Sequence, residues 1–450
     1  MREARLGDAV ASMKNGIYKP ASEYADDGVP CLRMYNIEAG SIVWRDIKRM
    51  KVTPTEQADY GLLEGDLLVN RVNSRELVGK AAVIPAGMEP SVFESKNIRV
   101  RLDAEKALPK FISYQLFARG SRHFANNAQQ VVGMASISQG QLADFPIVLT
   151  DLDEQRRIVA EIDKQFSRLD EAVANLQRVK ANLKRYKAAV LKAAVEGRLV
   201  ETEASIARRE GRGYETGEQL LHRVLVDRKT NWSGKGKYVK PAMPDLGSLP
   251  ALPDGWIWAT AEAVCDPVVD CHNKTAPYVN SGIPLIRTTN IRDGQLLMDG
   301  MRFVDQPTYD FWSRRCPPAP GDVLFTREAP MGEACIVPAG MTVCLGQRTM
   351  LMRPSPAITA SFLLAALMSP VIGHLIDRVA VGSGVKHLRV GDVERLPIPL
   401  PPKAEQLRIV TELDRLLSVQ QTVEAEVDAN LRRAATLRAA VLSRSFQSTH

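Results

Sequence analysis

Two stretches of the chain have the hydrophobic pattern of a long coiled-coil helix. Between about Asp153 and Gly197 the apolar residues recur at alternating steps of four and three, and a stretch near the C-terminus repeats this pattern in the same phase. At a rise of about 1.5 Å per residue, each helix would be about 65 Å long. The predicted seam consists of Ile162, Phe166, Leu169, Val173, Leu176, Leu183, Val190, Leu413, Leu416, Val423, Val427, Leu437 and Val441, and Ala434, Gln420 and Asn430 fall in the same phase.

The two helices are expected to pack on each other. Because they have equal length and matched phase, an antiparallel pair is the simplest arrangement, with Asp153 as the N-cap and Gly197 as the stop of the first helix. Such a pair would hold the domains that precede the helices at opposite ends, related by a pseudo-twofold axis. The other possibility is that each helix packs on its own domain or on another subunit.

The segment before each helix has a different pattern. Short β-type runs, such as GDLLVN at 65–70 and NIRVRL at 97–102, alternate with glycine and proline, and one helical pattern lies near 109–126. This predicts an α+β domain. The predicted boundaries are 1–150 for the first domain, 151–199 for its helix, 200–250 for a linker with one amphipathic helix, 251–401 for the second domain and 402–446 for its helix.

The second half of the chain repeats the first. GVPCLRMYNIEAG at 28–40 returns as GIPLIRTTNIRDG at 282–294, and GDLLVNR at 65–71 returns as GDVLFTR at 321–327. The line FPIVLTDLDEQRRIVAEID, which leads into the first helix, returns as LPIPLPPKAEQLRIVTELD before the second. Repeats of this length are too long for solenoid units and indicate a duplicated domain with its helix.

Charge and cysteine usage add two expectations. Lys and Arg outnumber Asp and Glu by 59 to 52, and the net charge of +7 suits a polyanionic partner without requiring one. The chain has no apolar signal region at its start and no uninterrupted apolar run of about 18 residues, so the cytoplasm is the expected location. The six cysteines are expected to be free buried thiols, since a zinc site at Cys265, Cys271 and His272 lacks a second ligand pair.

No catalytic motif occurs in both copies. The chain lacks a phosphate-binding loop of the type G-x-x-x-x-G-K-[ST], and it lacks glycine-rich loops for a dinucleotide or a methyl donor. Asp66, Glu94 and Lys96 resemble the residues of a metal-dependent nuclease. The second copy offers only Asp322 and Arg348, so this match is attributed to chance. A non-catalytic chain is therefore expected, and an enzyme with unrecognised motifs remains an alternative.

Basic and amide residues recur instead, in loop-like segments. Arginine suits guanine edges and phosphates, and asparagine suits adenine, so this inventory is typical of a protein that reads duplex DNA. Asn36 and Asn290 have a structural alternative, because they could serve turns. The candidate DNA-binding residues are Lys19, Arg33, Asn36, Arg71, Asn73, Arg75, Lys80, Lys96, Ser136, Lys274, Arg287, Asn290, Arg327, Arg348, Lys386, His387 and Arg389.

Some of these segments differ between the copies. VNSRELVGK at 72–80 stands against the shorter EAPMGE at 328–333, and GMASISQ at 133–139 stands against GVKHLRV at 384–390. Because loops carry function on a duplicated scaffold, this difference predicts that the two domains read different sequences and that the DNA site is asymmetric.

Several of these segments resemble those of a known protein family. The two-copy plan, the line PIPLPPKAEQLRIV entering a long helix, its relative PIVLTDLDEQRRIV, and the lines GIPLIRTTNI and GDVLFTR resemble the specificity (S) subunits of type I restriction-modification systems. The resemblance covers essentially the whole chain. It implies two target-recognition domains that each read one half of a bipartite DNA site. The implied partners are double-stranded DNA, two N6-adenine methyltransferase (M) subunits and ATP-dependent restriction (R) subunits.

The resemblance also makes predictions about cofactors and geometry. S-adenosylmethionine, ATP and Mg²⁺ would bind to the partner subunits, and this chain would hold no cofactor or metal of its own. The helix pair would act as a ruler that places the half-sites about one helical turn apart on one face of the duplex. The first copy has PIVLTDLDEQ without the Pro-Pro of the family line, which predicts a looser junction between strand and helix.

A second hypothesis comes from a different functional class. The chain could be a scaffold whose coiled coil assembles protein partners, while its duplicated domains bind peptides or another ligand. Such a scaffold would have no DNA specificity, whereas a specific reader should bind its own site orders of magnitude more tightly than competitor DNA.

Overall fold

The two copies of the repeat share the order of most of their strands and helices. The computed structural model describes residues 1–131, 134–234, 236–272 and 274–446. It consists of two units, Met1–Arg178 with Val427–His450, and Val179–Glu426. Each unit contains one globular domain and a part of both long helices. The predicted α+β organisation, with duplicated domains and a pair of long helices, is confirmed.

The first unit consists of short strands separated at the predicted glycine and proline positions. Its strands are β1 (Arg2–Arg5), β2 (Val10–Asn15), β3 (Tyr24–Leu32), β4 (Ile37–Glu38), β5 (Ser41–Ile42), β6 (Lys48–Met50), β7 (Leu67–Asn70), β8 (Val72–Asn73), β9 (Ala81–Val83), β10 (Val92–Phe93), β11 (Asn97–Leu102), β12 (Gln129–Val131), β13 (Met134–Ser136) and β14 (Pro146–Leu149). Its helices are α1 (Pro54–Tyr60), α2 (Pro109–Asn127), α3 (Gln139–Ala143) and the first part of α4 (Leu152–Val195). Three short 3₁₀ turns lie at Leu6–Ala9, Ala21–Glu23 and Met34–Asn36.

A four-stranded antiparallel sheet forms the centre of the first domain. Its strand order is β2-β11-β7-β9, and β7 is buried along its whole length, which explains why its sequence is continuously apolar. The smaller sheets are β10-β3-β6, β12-β13-β8, β1-β14 and β4-β5. Phe111 and Phe124 of α2 are fully buried in the same core as Leu67 of the sheet.

The second unit repeats this plan. Its strands are β15 (Ile257–Thr260), β16 (Cys265–Asp270), β17 (Ile283–Ile286), β18 (Ile291–Arg292), β19 (Gln295–Leu296), β20 (Arg302–Val304), β21 (Val323–Thr326), β22 (Ala334–Ile336), β23 (Cys344–Leu345), β24 (Thr349–Pro354) and β25 (Pro397–Leu400). Its helices are α5 (Glu203–Glu210), α6 (Gly217–Thr230), α7 (Ala261–Val264), α8 (Gln306–Trp312), α9 (Ala360–Leu367), α10 (Pro370–Val379), α11 (Val390–Glu394) and the first part of α12 (Lys403–Ser445). Two 3₁₀ turns lie at Leu246–Ser248 and Thr288–Asn290.

The sheets of the second unit have the order of the first. The central sheet is β16-β24-β21-β22. The smaller sheets are β20-β17-β23, β15-β25 and β18-β19. Where the first domain has one helix, α2, the second has α9 and α10, because Pro370 starts a new helix that is capped by the hydroxyl of Ser369. Within the described residues no single helix meets the length and composition required to span a membrane, and α9 with α10 meets them only when the bent pair is taken together.

The long helices run antiparallel. In the first unit, Arg438 from the later part of α12 forms an ion pair with Asp170 from the earlier part of α4. In the second unit, Leu191 near the end of α4 shares a buried core with Leu413 near the start of α12. In each unit, therefore, the earlier part of one helix lies beside the later part of the other.

The observed ends of α4 correct one prediction. The helix begins at Leu152, and its first turn is capped by Asp151, whose Oδ1 accepts a hydrogen bond from the backbone N–H of Glu154 at 2.8 Å. Asp153 lies inside the helix and is therefore not the N-cap. At the other end, Gly197 has a φ of +66°, the left-handed conformation that commonly follows the end of a helix.

The buried stripe of α12 differs from the predicted seam. Val423 and Leu437 are 40% and 50% exposed, so they lie outside it, whereas Gln420 and Ala434, which also fall in the predicted phase, are buried. The positions spaced by seven from Leu413, namely Gln420, Val427, Ala434 and Val441, stay buried or half-buried, so one of the two predicted seam positions in these heptads makes the contact. The other predicted seam positions are buried or half-buried: Ile162, Phe166, Leu169, Val173, Leu176, Leu183, Val190, Leu413, Leu416, Val427 and Val441.

A buried glutamine fixes the junction between strand and helix in the first unit. Gln155 Oε1 accepts a hydrogen bond from the backbone N–H of Leu108 at 2.9 Å. Its Nε2 donates to the carbonyl oxygens of Lys106 and Thr150, both at 2.8 Å. One side chain therefore joins the first turn of α4 to the segment before α2 and to the end of β14.

The second unit has the same junction. Gln406 Oε1 accepts from the backbone N–H of Thr359 at 2.9 Å, and its Nε2 donates to the carbonyls of Ala357 and Pro401 at 2.8 and 3.1 Å. The hydrogen bonds in the first unit are no longer than these, so the prediction of a looser first junction is wrong. The same glutamine contacts join the helix to its domain in both units, with and without the Pro-Pro.

The linker between the copies folds onto the second domain. It contains two helices, α5 and α6, instead of the single helix predicted. Leu220, Leu221 and Val224 of α6 are buried in the core of the second unit. Glu405 of α12 accepts a hydrogen bond from the backbone N–H of Glu203 at 2.8 Å, which fastens α5. The linker is thus a part of the second unit; its Lys235 lies outside the described residues.

Candidate nucleic-acid interface

In the first unit, segments that are distant in the sequence meet at one edge of the central sheet. The backbone N–H of Arg71 donates to the carbonyl of Lys96 at 2.8 Å, and the N–H of Ile137 donates to the carbonyl of Arg71 at 2.9 Å. Strand β8 pairs with β13, which aligns Val72 with Ser136. We call Lys19, Arg71, Asn73, Lys96 and Ser136 the first basic edge. Gly133, which belongs to the predicted reading segment, lies outside the described residues.

A close backbone contact brings the segment that contains Lys19 to the first basic edge. The N–H of Ser95 donates to the carbonyl of Ile17 at 2.9 Å. A Cβ atom at Gly16 would lie 2.1 Å from the carbonyl oxygen of Glu94, so only glycine fits there. The ammonium of Lys19 pairs with Glu56 at 2.8 Å, and this hydrogen bond lowers the pKa of Glu56. The charge of Lys19 is therefore balanced within the domain.

Three buried asparagines support the first basic edge from below. Asn70 Nδ2 donates to Asn97 Oδ1 at 3.1 Å, and Asn73 Nδ2 donates to Asn70 Oδ1 at 2.8 Å. Asn73 is only 6% exposed. Its amide, predicted to contact DNA, is therefore used inside the domain, where it satisfies a neighbouring polar group.

Asn36 and Asn290 occupy equivalent positions in turns. Asn36 Oδ1 accepts from the N–H of Arg33 at 2.9 Å, and its Nδ2 donates to the carbonyls of Val43 and Arg45. Asn290 makes the corresponding bonds, including one from the N–H of Arg287 at 3.3 Å. Both asparagines are buried. This geometry fits the turn role that the sequence left open.

The arginines that precede these asparagines also bind backbone. Arg33 Nη2 donates to the carbonyl of Asp46 at 3.3 Å, and Arg287 Nη2 donates to the carbonyl of Gly300 at 2.8 Å. Arg33 lies over the ring of Tyr35, 5.5 Å from its centroid. These arginines hold loops in place and have limited freedom to contact a ligand.

Other candidates of the first unit are more accessible. Arg75 is exposed, with its Nε donating to the carbonyl of Ala125 at 3.0 Å. Lys80 is half-buried, and burial lowers its pKa. Sequence reasoning missed two aromatic residues here, Tyr18 and Tyr35, which are 82% and 63% exposed. Their position beside Lys19 and Arg33 was the available signal, because nucleic-acid binding sites combine basic and aromatic side chains.

In the second unit, the corresponding segments also meet at one edge. The N–H of Arg327 donates to the carbonyl of Arg348 at 2.8 Å, and the N–H of Leu388 donates to the carbonyl of Arg327 at 3.0 Å. Glu328 and His387 form an isolated β-bridge. We call Lys274, Arg327, Arg348, Lys386 and His387 the second basic edge.

The side chains of this second edge differ in their freedom. Arg327 Nη1 donates to the carbonyl of Leu388 at 3.1 Å and is held like Arg71, whose Nε lies 3.4 Å from the carbonyl of Ile137. Lys274 and Lys386 are exposed. Arg389 is exposed too and is the N-cap of α11, where its N–H donates to Asp392 Oδ2 at 3.2 Å. Arg348 is exposed and pairs with Glu328, a residue that sequence reasoning did not select.

The carboxylates that resemble a nuclease site have structural partners. Asp66 is buried and binds Arg101 through both oxygens, at 2.8 and 3.2 Å. Asp322 binds Arg353 in the same way, at 2.8 and 2.7 Å. Such bidentate pairs occupy the oxygen atoms that a metal ion would need. The interpretation of this match as chance fits the geometry.

Comparison with known proteins gives a consistent result. A model of the "Type I restriction modification DNA specificity domain" matches residues 313–432. The chain is 23% identical to the specificity subunit of the type I restriction enzyme EcoBI from Escherichia coli, over 98% of this chain and 84% of the relative. It is 23% identical to the putative specificity subunit of the type I restriction enzyme MjaX from Methanocaldococcus jannaschii, over 94% of this chain and 89% of the relative.

A solved structure shares the fold. The chain is 19% identical to one from work on complex assembly and conformational transition of the type I R-M system, with a TM-score of 0.64 over 100% of this chain and 98% of the other. The resemblance seen in the sequence is confirmed. The relatives are named as specificity subunits of type I restriction enzymes.

Proposed function

Since this chain is a relative of the specificity subunits of type I restriction-modification systems, we propose that it is the DNA-reading subunit of such a complex. Each globular domain reads one half of a bipartite site in double-stranded DNA through its basic edge. The long helices set the distance between the halves. The observation that carries this proposal is that each unit brings separate basic segments of the sequence to one edge.

The proposed site is asymmetric because the two basic edges differ. The first has a strand pair, β8 with β13, above buried asparagines, whereas the corresponding segments of the second have only the isolated bridges of His387 to Glu328 and to Val381 within the described residues. The second edge carries the exposed cations Lys274, Arg348 and Lys386. Exposed cations add affinity that falls with salt, while contacts to base edges select the sequence.

The catalytic functions are assigned to partners. We propose that the chain scaffolds two N6-adenine methyltransferase subunits and ATP-dependent restriction subunits in the cytoplasm. S-adenosylmethionine, ATP and Mg²⁺ would bind to those subunits. The residues of this chain fit that assignment, because Asp66 and Asp322 already use their carboxylate oxygens for arginine. The target adenine would be flipped into the pocket of the methyltransferase.

Mapping of methylated adenine tests the proposal directly. The full chain is co-expressed with its methyltransferase subunit in a host without other N6-adenine methylation, and N6-methyladenine is located by single-molecule sequencing. We expect one bipartite motif with two different halves, a fixed spacer and one methylated adenine in each half. The methyltransferase subunit expressed alone is the control and should give no motif.

The scaffold hypothesis predicts another result. A stable complex of this chain with the methyltransferase that methylates no motif, and binds duplex DNA no better than competitor at physiological salt, would contradict DNA reading. In that case the duplicated domains would bind a different ligand.

A further inference from the structure

Arg348, on the second basic edge, has a backbone conformation that is rare for arginine. Its φ is +66°, in the left-handed region that residues with a Cβ atom disfavour. Residues in such conformations persist where the surrounding structure holds them, and they cluster at functional sites.

The turn that contains Arg348 is fixed on both sides. The N–H of Gly346 donates to the carbonyl of Ile286 at 2.8 Å, and a Cβ at Gly346 would lie 2.6 Å from that oxygen. The buried hydroxyl of Thr349 donates to the carbonyl of Gly346 at 2.7 Å. The carbonyl of Arg348 itself accepts from the N–H of Arg327. These bonds leave the backbone little freedom to relax, so the direction of the Arg348 side chain is set.

A carboxylate holds the guanidinium of Arg348 at one end. Its Nε lies 3.4 Å from Glu328 Oε2, and the side chains of Arg348 and Glu328 are 52% and 27% exposed. The backbone of Glu328 is fixed by its bridge to His387. Apart from this ion pair, the guanidinium makes no hydrogen bond to the described part of the chain. Its Nη donors are therefore available at the surface.

This arrangement belongs to the second copy alone. The residue equivalent to Arg348 is Lys96, and the residue equivalent to Glu328 is Val72, which has no charge. Lys96 does not have a positive φ. The bonds that place the turn are duplicated, since Arg71 donates to Lys96 as Arg327 donates to Arg348. The backbone hydrogen bonds that place the turn are shared by both copies, whereas the Arg-Glu pair occurs only in the second. This distribution is expected of residues that determine specificity.

We propose that Arg348 reads a guanine in the half-site of the second domain, and that Glu328 is its positioning residue. The two Nη atoms of a guanidinium match O6 and N7 of guanine in the major groove, and an ion pair at Nε orients the fork without using those donors. This inference rests on the proposed function, because it assigns a base to a domain already proposed to read DNA.

Selection from a random duplex library tests the assignment. The full chain, in complex with its methyltransferase subunits, is used as wild type and as R348G, R348K and E328Q, and the enriched sequences are determined. Glycine removes the side chain and also relieves the positive φ, so a folding defect does not explain its effect. R378A, which removes an exposed arginine of α10 in the same unit, is the matched control.

We expect R348G to make one guanine column of one half-site degenerate, while the other half-site and the spacer stay unchanged. Loss of a bidentate contact corresponds to about a 5- to 150-fold loss of discrimination at that column. R348K should lose most of this discrimination, because the ammonium group of lysine lacks the paired planar donors of a guanidinium. E328Q should weaken preference at the same column by a smaller factor, an effect that a merely structural role would not produce. R378A should leave every column unchanged.

Three results would overturn the assignment. An R348G motif identical to that of wild type would remove Arg348 from base reading. Equal weakening of all sequences, with a shallower salt dependence, would make Arg348 a phosphate contact. An unchanged column in E328Q would remove the positioning role of Glu328. If wild type enriches no motif at all, the proposed function fails first, which separates that failure from the other three.

Discussion

At the residue scale, one glutamine side chain has the same role in both copies of the segment that leads into a long helix. Gln155 and Gln406 each satisfy one backbone N–H and two backbone carbonyls at a helix junction. Buried backbone groups without a partner are costly, so the residue type is strongly constrained. The repeat could be seen in the sequence, but the reason for the glutamine could not, because its partners lie in a segment about 50 residues earlier.

We expect Gln406→Ala to lower the free energy of unfolding by about 2–4 kcal/mol, since each buried group that loses its partner costs about 1–3 kcal/mol. Denaturation by urea, followed by circular dichroism, measures this change. Gln421→Ala, at an exposed position of the same helix, is the matched control and should change the free energy by less than about 0.5 kcal/mol. Equal effects of the two substitutions would contradict the role assigned to Gln406.

The cysteines give a second prediction at this scale. All six are buried and free, as the sequence predicted. Burial raises the pKa of Cys31 and Cys335 to about 12, and that of Cys344 to about 11, so these thiols stay protonated at pH 8. Because the thiolate is the reactive form, a thiol reagent should label the native protein slowly at pH 8 and label six thiols after unfolding. Rapid labelling of the native chain would contradict this burial.

At the scale of elements, the long helices could be predicted and the short ones could not. The apolar residues keep the same spacing through α4 and α12, so many helical turns support the prediction of each helix. Helix α5 has only eight residues, and its position depends on contacts such as the one between Glu203 and Glu405, which no local pattern reveals. The error at Val423 and Leu437 has the same origin, because the period of the apolar residues does not reveal which of them contact another element.

The ruler hypothesis gives the prediction for the helices. Deleting one heptad from each shortens both by about 10 Å at 1.5 Å per residue. This equals about three base pairs at 3.4 Å each, so the spacer of the methylated motif should shorten by about that number. Both half-sites should keep their sequences. Deleting five residues from each helix instead turns the buried stripe by about 140° at 3.6 residues per turn, and we expect that variant to lose methylation. A change in either half-site after the heptad deletion would contradict the hypothesis.

At the scale of the whole molecule, the sequence predicted the duplicated plan but not which candidate residues are accessible. Asn36 and Asn73 carry the side chains expected of base-reading residues, yet their amides are bonded within the first domain. The type of these residues and their loop context could be read from the sequence. Their burial could not, because it depends on strands that are distant in the sequence. Arg348 was selected because a basic residue recurs at this position in both copies, and the features that distinguish it, a positive φ and a fixed ion pair, exist only in the folded domain.

Duplication allows a test of the complete arrangement, in which residues 2–149 are replaced by 257–400. The two cuts are equivalent, because Arg2 aligns with Leu149 across β1 and β14 as Ile257 aligns with Leu400 across β15 and β25. In the exchanged chain, Gln155 would meet the backbone groups of Ala357 and Thr359 that Gln406 already binds and would keep its bond to Thr150, so the junction to α4 is preserved.

If the domains carry all of the specificity and the antiparallel helices only set their distance, this chain has two identical reading edges. The methylated motif should then become palindromic, with both halves equal to the half read by the second domain of wild type and with the original spacer. Single-molecule sequencing of a host that expresses the exchanged chain with the methyltransferase subunit measures the motif. A motif that stays asymmetric would mean that part of the sequence is read outside the exchanged domains, by the helices, the linker or the methyltransferase.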